Sequence, residues 1–398
     1  MKSQCKIYEN APGGRMFSRL DTELARPVAA GSLSVPGEVP TQMRFILIGV
    51  LMLALPLLAQ TPQPGGRGGG QAAAAAPQAG AAPAPQITLQ QTNPQQQSND
   101  QVLKAIDDLE WRLKISDVAD FDKVAYATLP PLHNPNPAGP GAGNPMIVYA
   151  YTFIPKKLDR SKKQPLLVMI HGGVHSNFTS ESAHIVRELI DQGYTIISTD
   201  YRGSTGYGQN YYQQIDYGGR EVDDVYIGMQ WMLDRYSFLD PKRVGIIGWS
   251  HGGLITLMNI FQHPESFAVA YAGVPVSDLV LRLGYQNDAY RAEYSAPYHI
   301  GKTVREDIKE YERRSPITYV SKLQTPLLIH TNTNDEDVNV LEVERLITAL
   351  KAEGKKFEYK IYQDAPGGHQ FNRLDTKLAR ESRQEVYQFL AKYLSAHN

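Results

Sequence analysis

The carboxyl-terminal two thirds of the chain alternates short apolar runs with longer stretches in which apolar residues recur every three or four positions. The short runs are rich in β-branched residues and predict strands at 147–154, 166–170, 195–199, 243–248, 268–272, 326–330 and 358–362. The longer stretches predict helices, among them 184–191, 221–235 and 340–352. This alternation is typical of an α/β protein with a doubly wound, mostly parallel sheet and helices on both faces.

The amino-terminal region carries a secretion pattern. Arg44 precedes an apolar run that ends in the small residue Ala59. The run is too short for a comfortable membrane span, and its basic start and small end are typical of a secretory signal peptide. Residues 43–59 therefore predict a secreted or periplasmic protein that meets a membrane only during export.

Two further features separate the signal peptide from the predicted sheet. Residues 60–100 are largely Gln, Ala, Gly and Pro, a composition that cannot bury a core and predicts a disordered linker. A helix is predicted from residue 101 to about 115, capped by Asn99 or Asp100. The globular domain is thus expected to cover 101–398. We expect the apolar face of the helix to pack on the domain or on a partner; it holds Val102, Ile106, Leu109 and Leu113.

Residues 1–42 stand before the signal peptide and contain an echo of the carboxyl-terminal region. Residues 6–26 match residues 360–380 at 15 of 21 positions, with Arg15 where the later copy has a histidine. Our hypothesis is that residues 1–42 are the translated tail of an adjacent paralogous gene, joined to this chain because the translation start was placed too far upstream. Met43 would then be the true start. The rival hypothesis is a working duplication that docks on the domain or exchanges with the authentic segment.

The most informative motif is the pentapeptide Gly-Trp-Ser-His-Gly at residues 248–252. An apolar run at 244–247 leads into it and a helical pattern follows, so Ser250 stands on a turn between a strand and a helix. The glycines permit a strained turn, and the helix directs free N–H groups towards a developing oxyanion. A chain with 33 glycines can contain such a motif by chance. The motif therefore predicts a nucleophile only if the chain also supplies the acid and the base that act with it.

The partners follow in the order serine, acid, histidine that an α/β-hydrolase requires. His369 lies on a Gly-Gly turn after the strand at 358–362, whereas the later His397 is the penultimate residue, from which catalysis is not expected. We therefore predict that His369 is the general base. Asp335 and Asp337 both lie on the loop after the preceding strand, and either can supply the carboxylate that orients the base.

Donors for an oxyanion hole are predicted at two places. The strand at 166–170 ends in His-Gly-Gly, and no side chain obstructs the N–H groups of Gly172 and Gly173. The N–H of His251, directly after Ser250, would be the other donor. The alternative interpretation is a simple Gly-Gly turn that closes a strand.

These motifs, together with Asp-Tyr-Arg-Gly-Ser-Thr-Gly-Tyr-Gly at 200–208 and Asp-Glu-Asp-Val at 335–338, resemble the catalytic domain of the prolyl oligopeptidase family of serine peptidases. The resemblance covers roughly residues 145–396 and implies an α/β-hydrolase fold with an acyl-enzyme on Ser250. It also implies that Asp335 is the acid, because in this family the acid lies three residues before the valine of this loop. The loop is one residue longer here than in relatives.

The resemblance leaves the substrate open between peptides and esters. Relatives usually carry a large β-propeller before the catalytic domain, and nothing before residue 145 is long or strand-rich enough to form one. Leucines occur in the segment 274–281 where proline-preferring relatives place an aromatic residue, which argues against proline specificity. We expect a peptidase of short peptides or aminoacyl amides first, a carboxylesterase second and a non-catalytic tethered binding protein third. The expected substrate pocket contains Tyr207, Val276, Leu279 and Val338.

Composition excludes several other classes of function. The 40 basic and 41 acidic residues leave a net charge of -1, which gives no electrostatic reason to expect a nucleic-acid partner. Cys5 is the only cysteine, so neither an intramolecular disulfide nor a cysteine metal site is expected. The ten histidines include no H-E-x-x-H motif, so neither a hydrolytic metal nor a cofactor is predicted. The oligomeric state stays open.

Overall fold

The computed structural model describes residues 94–395 with the exception of 133 and 135. The echo in residues 1–42, the signal peptide at 43–59 and most of the linker at 60–100 lie outside the described residues, and their predictions stay predictions.

One eight-stranded sheet organises the described part of the chain. Its spatial order is β1-β2-β4-β3-β5-β6-β7-β8, in which β1, β2 and β4 pair antiparallel and every later neighbour pairs parallel. The strands are β1 (Ala119–Thr128), β2 (Met146–Pro155), β3 (Gln164–Ile170), β4 (Thr195–Asp200), β5 (Leu239–Trp249), β6 (Val269–Gly273), β7 (Leu327–Asn332) and β8 (Glu358–Tyr362).

The two faces of the sheet support separate apolar cores. In β3, Leu166 and Val168 pack into the core on one face, whereas Leu167 and Met169 pack into the core on the other. Successive strand residues point to opposite faces, so a strand that is covered on both sides must be apolar at every position. This explains why the central strands appear in the sequence as continuous apolar runs rather than as alternating ones.

Ten helices flank the sheet in residues 94–395, and within this range no helix has both the length and the hydrophobicity that a membrane crossing requires. They are α1 (Pro94–Ile115), α2 (Ala183–Asp191), α3 (Gln209–Tyr212), α4 (Arg220–Arg235), α5 (His251–Gln262), α6 (Leu279–Tyr285), α7 (Asp288–Tyr294), α8 (Ile308–Arg313), α9 (Val340–Ala352) and α10 (Lys377–Leu394). Short 3-10 turns occupy Ser180–Ser182, Pro264–Ser266, Pro316–Lys322 and Gly368–Gln370.

The predicted α/β-hydrolase fold is confirmed, and all seven predicted strands are present within a few residues of their predicted bounds. The sequence pattern does not predict strand β1. It lies at the edge of the sheet and pairs only with β2, so part of it faces solvent and its sequence, ADFDKVAYAT, carries three charged residues. An edge strand of this kind lacks the continuous apolar run that marks the buried strands.

Helix α1 differs from its prediction in both its start and its buried face. It begins at Pro94, so the predicted caps Asn99 and Asp100 lie inside it. Trp111 is fully buried, and its ring centroid lies 5.0 Å from that of Phe153 and 5.1 Å from that of Phe178. The large indole therefore decides which face packs on the sheet. The predicted apolar face does not pack on the described domain: its members are between 48% and 85% exposed, namely Val102, Ile106, Leu109 and Leu113.

Replacement of Trp111 by alanine should destabilise the domain, because it removes a fully buried indole from an aromatic cluster. We expect the free energy of unfolding to fall by about 3–5 kcal/mol in urea denaturation. Leu113→Ala on the same helix is the matched control, since Leu113 is 85% exposed and its loss should change stability by less than about 0.5 kcal/mol. Equal destabilisation by the two substitutions would contradict the packing of α1.

Candidate active site

Ser250 occupies a strained turn between β5 and α5. Its backbone has φ 59° and ψ −120°, a conformation that residues with side chains rarely adopt. A Cβ atom on Gly248 would lie 2.2 Å from the carbonyl oxygen of Gly252, and one on Gly252 would lie 2.6 Å from the carbonyl oxygen of Ile170. The glycine spacing of the motif is therefore a steric requirement of this turn.

His369 and Asp335 form a hydrogen-bonded pair at the same edge of the sheet. The Nδ1 atom of His369 lies 2.9 Å from each carboxylate oxygen of Asp335. The carboxylate is fixed in turn, because its Oδ1 accepts hydrogen bonds from the backbone N–H groups of Asp337 at 2.9 Å and Val338 at 2.8 Å. This arrangement holds the imidazole with Nδ1 towards the acid and leaves Nε2 for other contacts.

The loops after β7 and β8 are joined by further hydrogen bonds that set the position of His369. Glu336 accepts from the backbone N–H of His369 at 3.0 Å, and the side-chain amide of Asn332 donates to the carbonyl oxygen of Gly368 at 3.0 Å. The side-chain amide of Asn334 donates to the carbonyl oxygen of Ala365, also at 3.0 Å. The acid loop and the histidine loop are thus joined by a dense set of contacts.

Asp337, the other candidate acid, lies near the opposite nitrogen of the ring. Its carboxylate is 3.5 Å from Nε2 of His369 and accepts a hydrogen bond from Arg282 at 2.7 Å. The geometry therefore distinguishes the two aspartates, since Asp335 holds Nδ1 and Asp337 stands beside the nitrogen that would exchange a proton with Ser250.

Ser250, His369 and Asp337 line one cavity of about 670 Å³. No hydrogen bond joins the Ser250 hydroxyl to His369 in the described part of the chain. Glycines of the loop after β3 and residues of α2 and of the loop after β8 complete the wall; among them are Gly172, Gly173, His184, Gln370 and Arg373. Ser250, His369 and Asp337, which the sequence predicted as candidate site residues, thus lie at one edge of the sheet. This is the edge at which the carboxyl ends of the parallel strands meet.

The predicted oxyanion donors Gly172 and Gly173 line the same cavity as Ser250, and His251 directly follows it. A Cβ atom on Gly172 would lie 2.9 Å from the carbonyl oxygen of Trp249 and 3.3 Å from Cβ of Ser250, so the loop after β3 packs directly on the turn. Gly173 has φ 73°, and its carbonyl oxygen accepts a hydrogen bond from the Tyr201 hydroxyl at 3.0 Å. His251 is the first residue of α5, where a backbone N–H has no partner within the helix.

The four predicted pocket residues are not among the residues that line this cavity in the described part of the chain. Val276, Leu279 and Val338 are at most 1% exposed and belong to the apolar core on one face of the sheet. The Tyr207 hydroxyl donates to the Asp200 carboxylate at 2.5 Å, and its ring stacks on Tyr149. These residues were predicted because they lie in the segments that carry the family resemblance, whereas Val276, Leu279 and Val338 pack in the core and Tyr207 binds Asp200.

Arg373 is a cavity residue that the sequence analysis missed. Its guanidinium donates to the carbonyl oxygen of His369 at 2.6 Å, and it lies behind the turn that carries the imidazole. Burial lowers the pKa of this guanidinium to about 10, and the charges of Tyr271 and Asp335 oppose that shift only in part. Arg373 stands four residues after His369 in a segment with no recognisable motif, so nothing in the sequence marked it.

The segment at 200–208 carried the most specific part of the family resemblance. Its charged side chains are buried and paired. Arg202 forms two hydrogen bonds of 2.8 Å with Asp224, one from Nε and one from Nη2. Asp200 lies 3.0 Å from the ammonium group of Lys104, which α1 inserts beneath the loop after β3. Removing one partner of such a pair leaves an uncompensated buried charge, so these residues act by holding the loops in place.

The side chain of His251 lies behind the turn rather than in the cavity. Its Nε2 atom is 3.4 Å from the Glu221 carboxylate, and both side chains are fully buried. Burial, with a smaller contribution from Arg282, lowers the pKa of His251 to about 3. Burial, with a contribution from Asp216, raises the pKa of Glu221 to about 8. The two groups therefore face each other uncharged near neutral pH.

A family model described as the prolyl oligopeptidase family matches residues 179–397, which is more than half of the chain. The chain belongs to the prolyl oligopeptidase family. The predicted resemblance is thus confirmed, and the family is one of serine peptidases, in agreement with the paired imidazole and carboxylate beside a strained serine.

Curated relatives resemble this chain over part of their own length. The uncharacterized peptidase YuxL of Bacillus subtilis is 29% identical over 230 residues, which is 57% of this chain and 34% of the relative. The acylamino-acid-releasing enzyme of Arabidopsis thaliana is 28% identical over 56% of this chain and 30% of its own length. This chain therefore spans about a third of the length of these relatives.

Solved structures of similar proteins share the fold. A puromycin-hydrolyzing peptidase of Mycobacterium tuberculosis superposes with a TM-score of 0.56 at 24% identity, over 69% of this chain and 40% of that one. An acylaminoacyl peptidase of Pyrococcus horikoshii superposes with a TM-score of 0.58 at 17% identity, over 71% and 43%. At these identities the likeness establishes the α/β-hydrolase fold alone.

The raised pKa of Glu221 predicts a specific pH dependence of stability. In the unfolded chain this carboxyl ionises around the ordinary glutamate pKa of 4.5, whereas the folded one keeps its proton until about pH 8, so stability should fall as pH rises through this window. Between pH 6 and pH 8 the parent protein should lose on the order of 1–3 kcal/mol of unfolding free energy. Glu221→Gln, whose side chain is neutral at every pH, should not show this loss. Urea denaturation of both proteins at both values measures the difference; identical pH slopes would contradict the assignment.

Proposed function

We propose that this protein is an exported serine peptidase that cleaves short peptides or aminoacyl amides through an acyl-enzyme on Ser250. The observation that carries the proposal is the convergence of Ser250 with the Asp335–His369 pair at one cavity. A nucleophile, a base and a group that orients the base are the parts that acyl transfer needs, and here they come from three strand ends.

The reaction follows from the roles of these groups. Ser250 Oγ attacks the substrate carbonyl carbon while His369 Nε2 takes the hydroxyl proton, and Asp335 stabilises the resulting imidazolium through Nδ1–H. The N–H groups of His251 and of the Gly172–Gly173 loop stabilise the oxyanion. The amine leaves with the proton from His369, and a water activated by the same imidazole then hydrolyses the acyl-enzyme.

Substrate binding is expected to complete the serine–histidine contact. Nε2 of His369 lies 3.5 Å from the Asp337 carboxylate. Catalytic hydrogen bonds of free enzymes are commonly long and tighten only in the substrate complex, so we expect the Ser250–His369 hydrogen bond to form when substrate binds.

The proposed substrate class rests on cavity size and on the relatives. A cavity of about 670 Å³ falls within the range that accommodates a small organic ligand, and its walls offer the charged or polar groups of His184, Arg373 and Asp375. The relatives named as acylamino-acid-releasing enzymes and as a puromycin-hydrolyzing peptidase support an amide rather than an ester substrate.

Substitution of the two aspartates tests the assignment of the acid. Asp335→Asn should lower kcat/KM on an N-acetyl-dipeptidyl p-nitroanilide by roughly 10⁴-fold, because the imidazole loses the partner that fixes its tautomer. Asp337→Asn is the matched control, two residues along the same loop, and should reduce the rate by less than about tenfold. Ser250→Ala should abolish turnover and labelling by a fluorophosphonate probe.

Each outcome of these assays has a distinct meaning. A larger loss from Asp337→Asn than from Asp335→Asn would reverse the assignment of the acid. Turnover by Ser250→Ala would disprove the nucleophile. Hydrolysis of a matched p-nitrophenyl ester without hydrolysis of the anilide would retain a serine hydrolase but reject the amide substrate class.

The proposed export rests on residues 43–59, which carry the pattern of a signal peptide. When the full chain is expressed in a secreting bacterial host, the exported protein should begin shortly after Ala59 by amino-terminal sequencing. Leu53→Arg, which interrupts the apolar run, should keep the protein in the cytoplasm. An exported chain that still contains Lys6 would disprove Met43 as the start.

A further inference from the structure

Three potential metal ligands from distant parts of the chain converge on one point beside the loop after β3. His175 follows the Gly172–Gly173 turn, Glu293 lies on α7, and His299 follows the same helix. One ligand atom from each residue lies within 4.8 Å of the other two. The cluster is separate from the Ser250 cavity, since none of its members is among the residues that line that cavity in the described chain.

The distances within the cluster match those of a zinc site. Nε2 of His175 is 3.2 Å from Nε2 of His299 and 3.7 Å from the carboxylate of Glu293. Tetrahedral zinc with bonds of about 2.0–2.1 Å separates its ligand atoms by about 3.3 Å. The ligand atom of Glu293 lies within 4.8 Å of that of His299, and because the Glu293 side chain is 39% exposed, it can move closer to both imidazoles and leave room for a water as fourth ligand.

The His175 ring is already held in the orientation that a metal ligand requires. Its Nδ1 lies 2.8 Å from the carbonyl oxygen of Gly203, which can only accept, so Nδ1 carries the proton and the Nε2 lone pair faces the other two ligands. The ring also stacks on Tyr212 at 3.5 Å between centroids. A second hydrogen bond of this kind is the usual support of a histidine that binds metal.

We propose that His175, His299 and Glu293 bind one zinc ion. Two imidazoles and a carboxylate form a ligand set that zinc favours. A direct hydrogen bond between the two imidazoles would explain the 3.2 Å separation by itself, but it would not account for the carboxylate that converges on the same point. On binding, zinc would take the place of the proton between the two rings, and His299 would carry that proton on Nδ1 instead of Nε2, so both imidazoles stay neutral.

The ion would have a structural role. His175 stands two residues after Gly173, and the other two ligands belong to the segment that includes α7, so zinc would fasten that segment to the loop after β3. A metal site that joins two segments stabilises the folded state by an amount that grows with the logarithm of its affinity. This inference does not depend on the proposed peptidase activity.

Zinc binding by the purified full chain tests the proposal directly. After treatment with EDTA and dialysis against zinc chloride, the protein should retain one zinc per chain by mass spectrometry and should show a higher Tm than in EDTA. Glu293→Gln keeps the size of a half-exposed side chain, so it should fold normally and melt with the parent protein in EDTA. It should bind zinc at least about tenfold more weakly, since even loss of an outer-shell partner can have that effect.

Glu312→Gln is the matched control, because Glu312 is an exposed acid on the neighbouring helix α8 and lies outside the cluster. It should retain zinc with the affinity of the parent protein. Cobalt(II) provides a second measurement, since its visible bands should report nitrogen and oxygen ligands and should weaken in Glu293→Gln. The proposal is wrong if the parent chain retains no zinc, or if Glu293→Gln and Glu312→Gln bind zinc and cobalt equally.

Discussion

The turn at Ser250 exists because backbone segments approach one another more closely than side chains would permit. The carbonyl oxygen of Gly252 occupies the position that a Cβ of Gly248 would need, and the carbonyl of Ile170 at the end of β3 does the same for Gly252. Gly172 then packs against Ser250 itself. This close packing joins the nucleophile turn to the loop of the predicted oxyanion donors, so the two cannot be placed independently.

The parallel order of the sheet adds the remaining groups to this edge. The neighbouring strands β7 and β8 end side by side, and their loops exchange hydrogen bonds through Asn332, Asn334 and Glu336 as well as through the Asp335–His369 pair. The imidazole is therefore positioned by backbone contacts on one side and by a carboxylate on the other. A base held in this way loses little entropy when substrate binds.

Buried charges and the ligand cluster stabilise the loops around this edge. Lys104 and Arg202 neutralise Asp200 and Asp224 in the interior, and each pair joins chain segments that are distant in sequence. The proposed zinc ligands would act in the same region, since His175 lies on the loop that α1 supports from beneath through Lys104. In each case buried polar contacts hold a loop at the same end of the sheet, and the loop after β3 packs directly on Ser250.

Local patterns in the sequence were sufficient for the seven predicted strands, for the turn at Ser250 and for His369, because burial on two faces requires apolar runs in the central strands and a strained turn requires glycines. The spacing of residues left open which aspartate pairs with the imidazole, since Asp335 and Asp337 are two residues apart and chemically identical, and only the family resemblance favoured Asp335. Only the folding of two loops against each other places Asp335 at Nδ1. The edge strand β1, the buried face of α1, Arg373 and the His175–Glu293–His299 cluster were likewise decided by tertiary contacts, because each depends on residues that meet only when distant parts of the chain pack together.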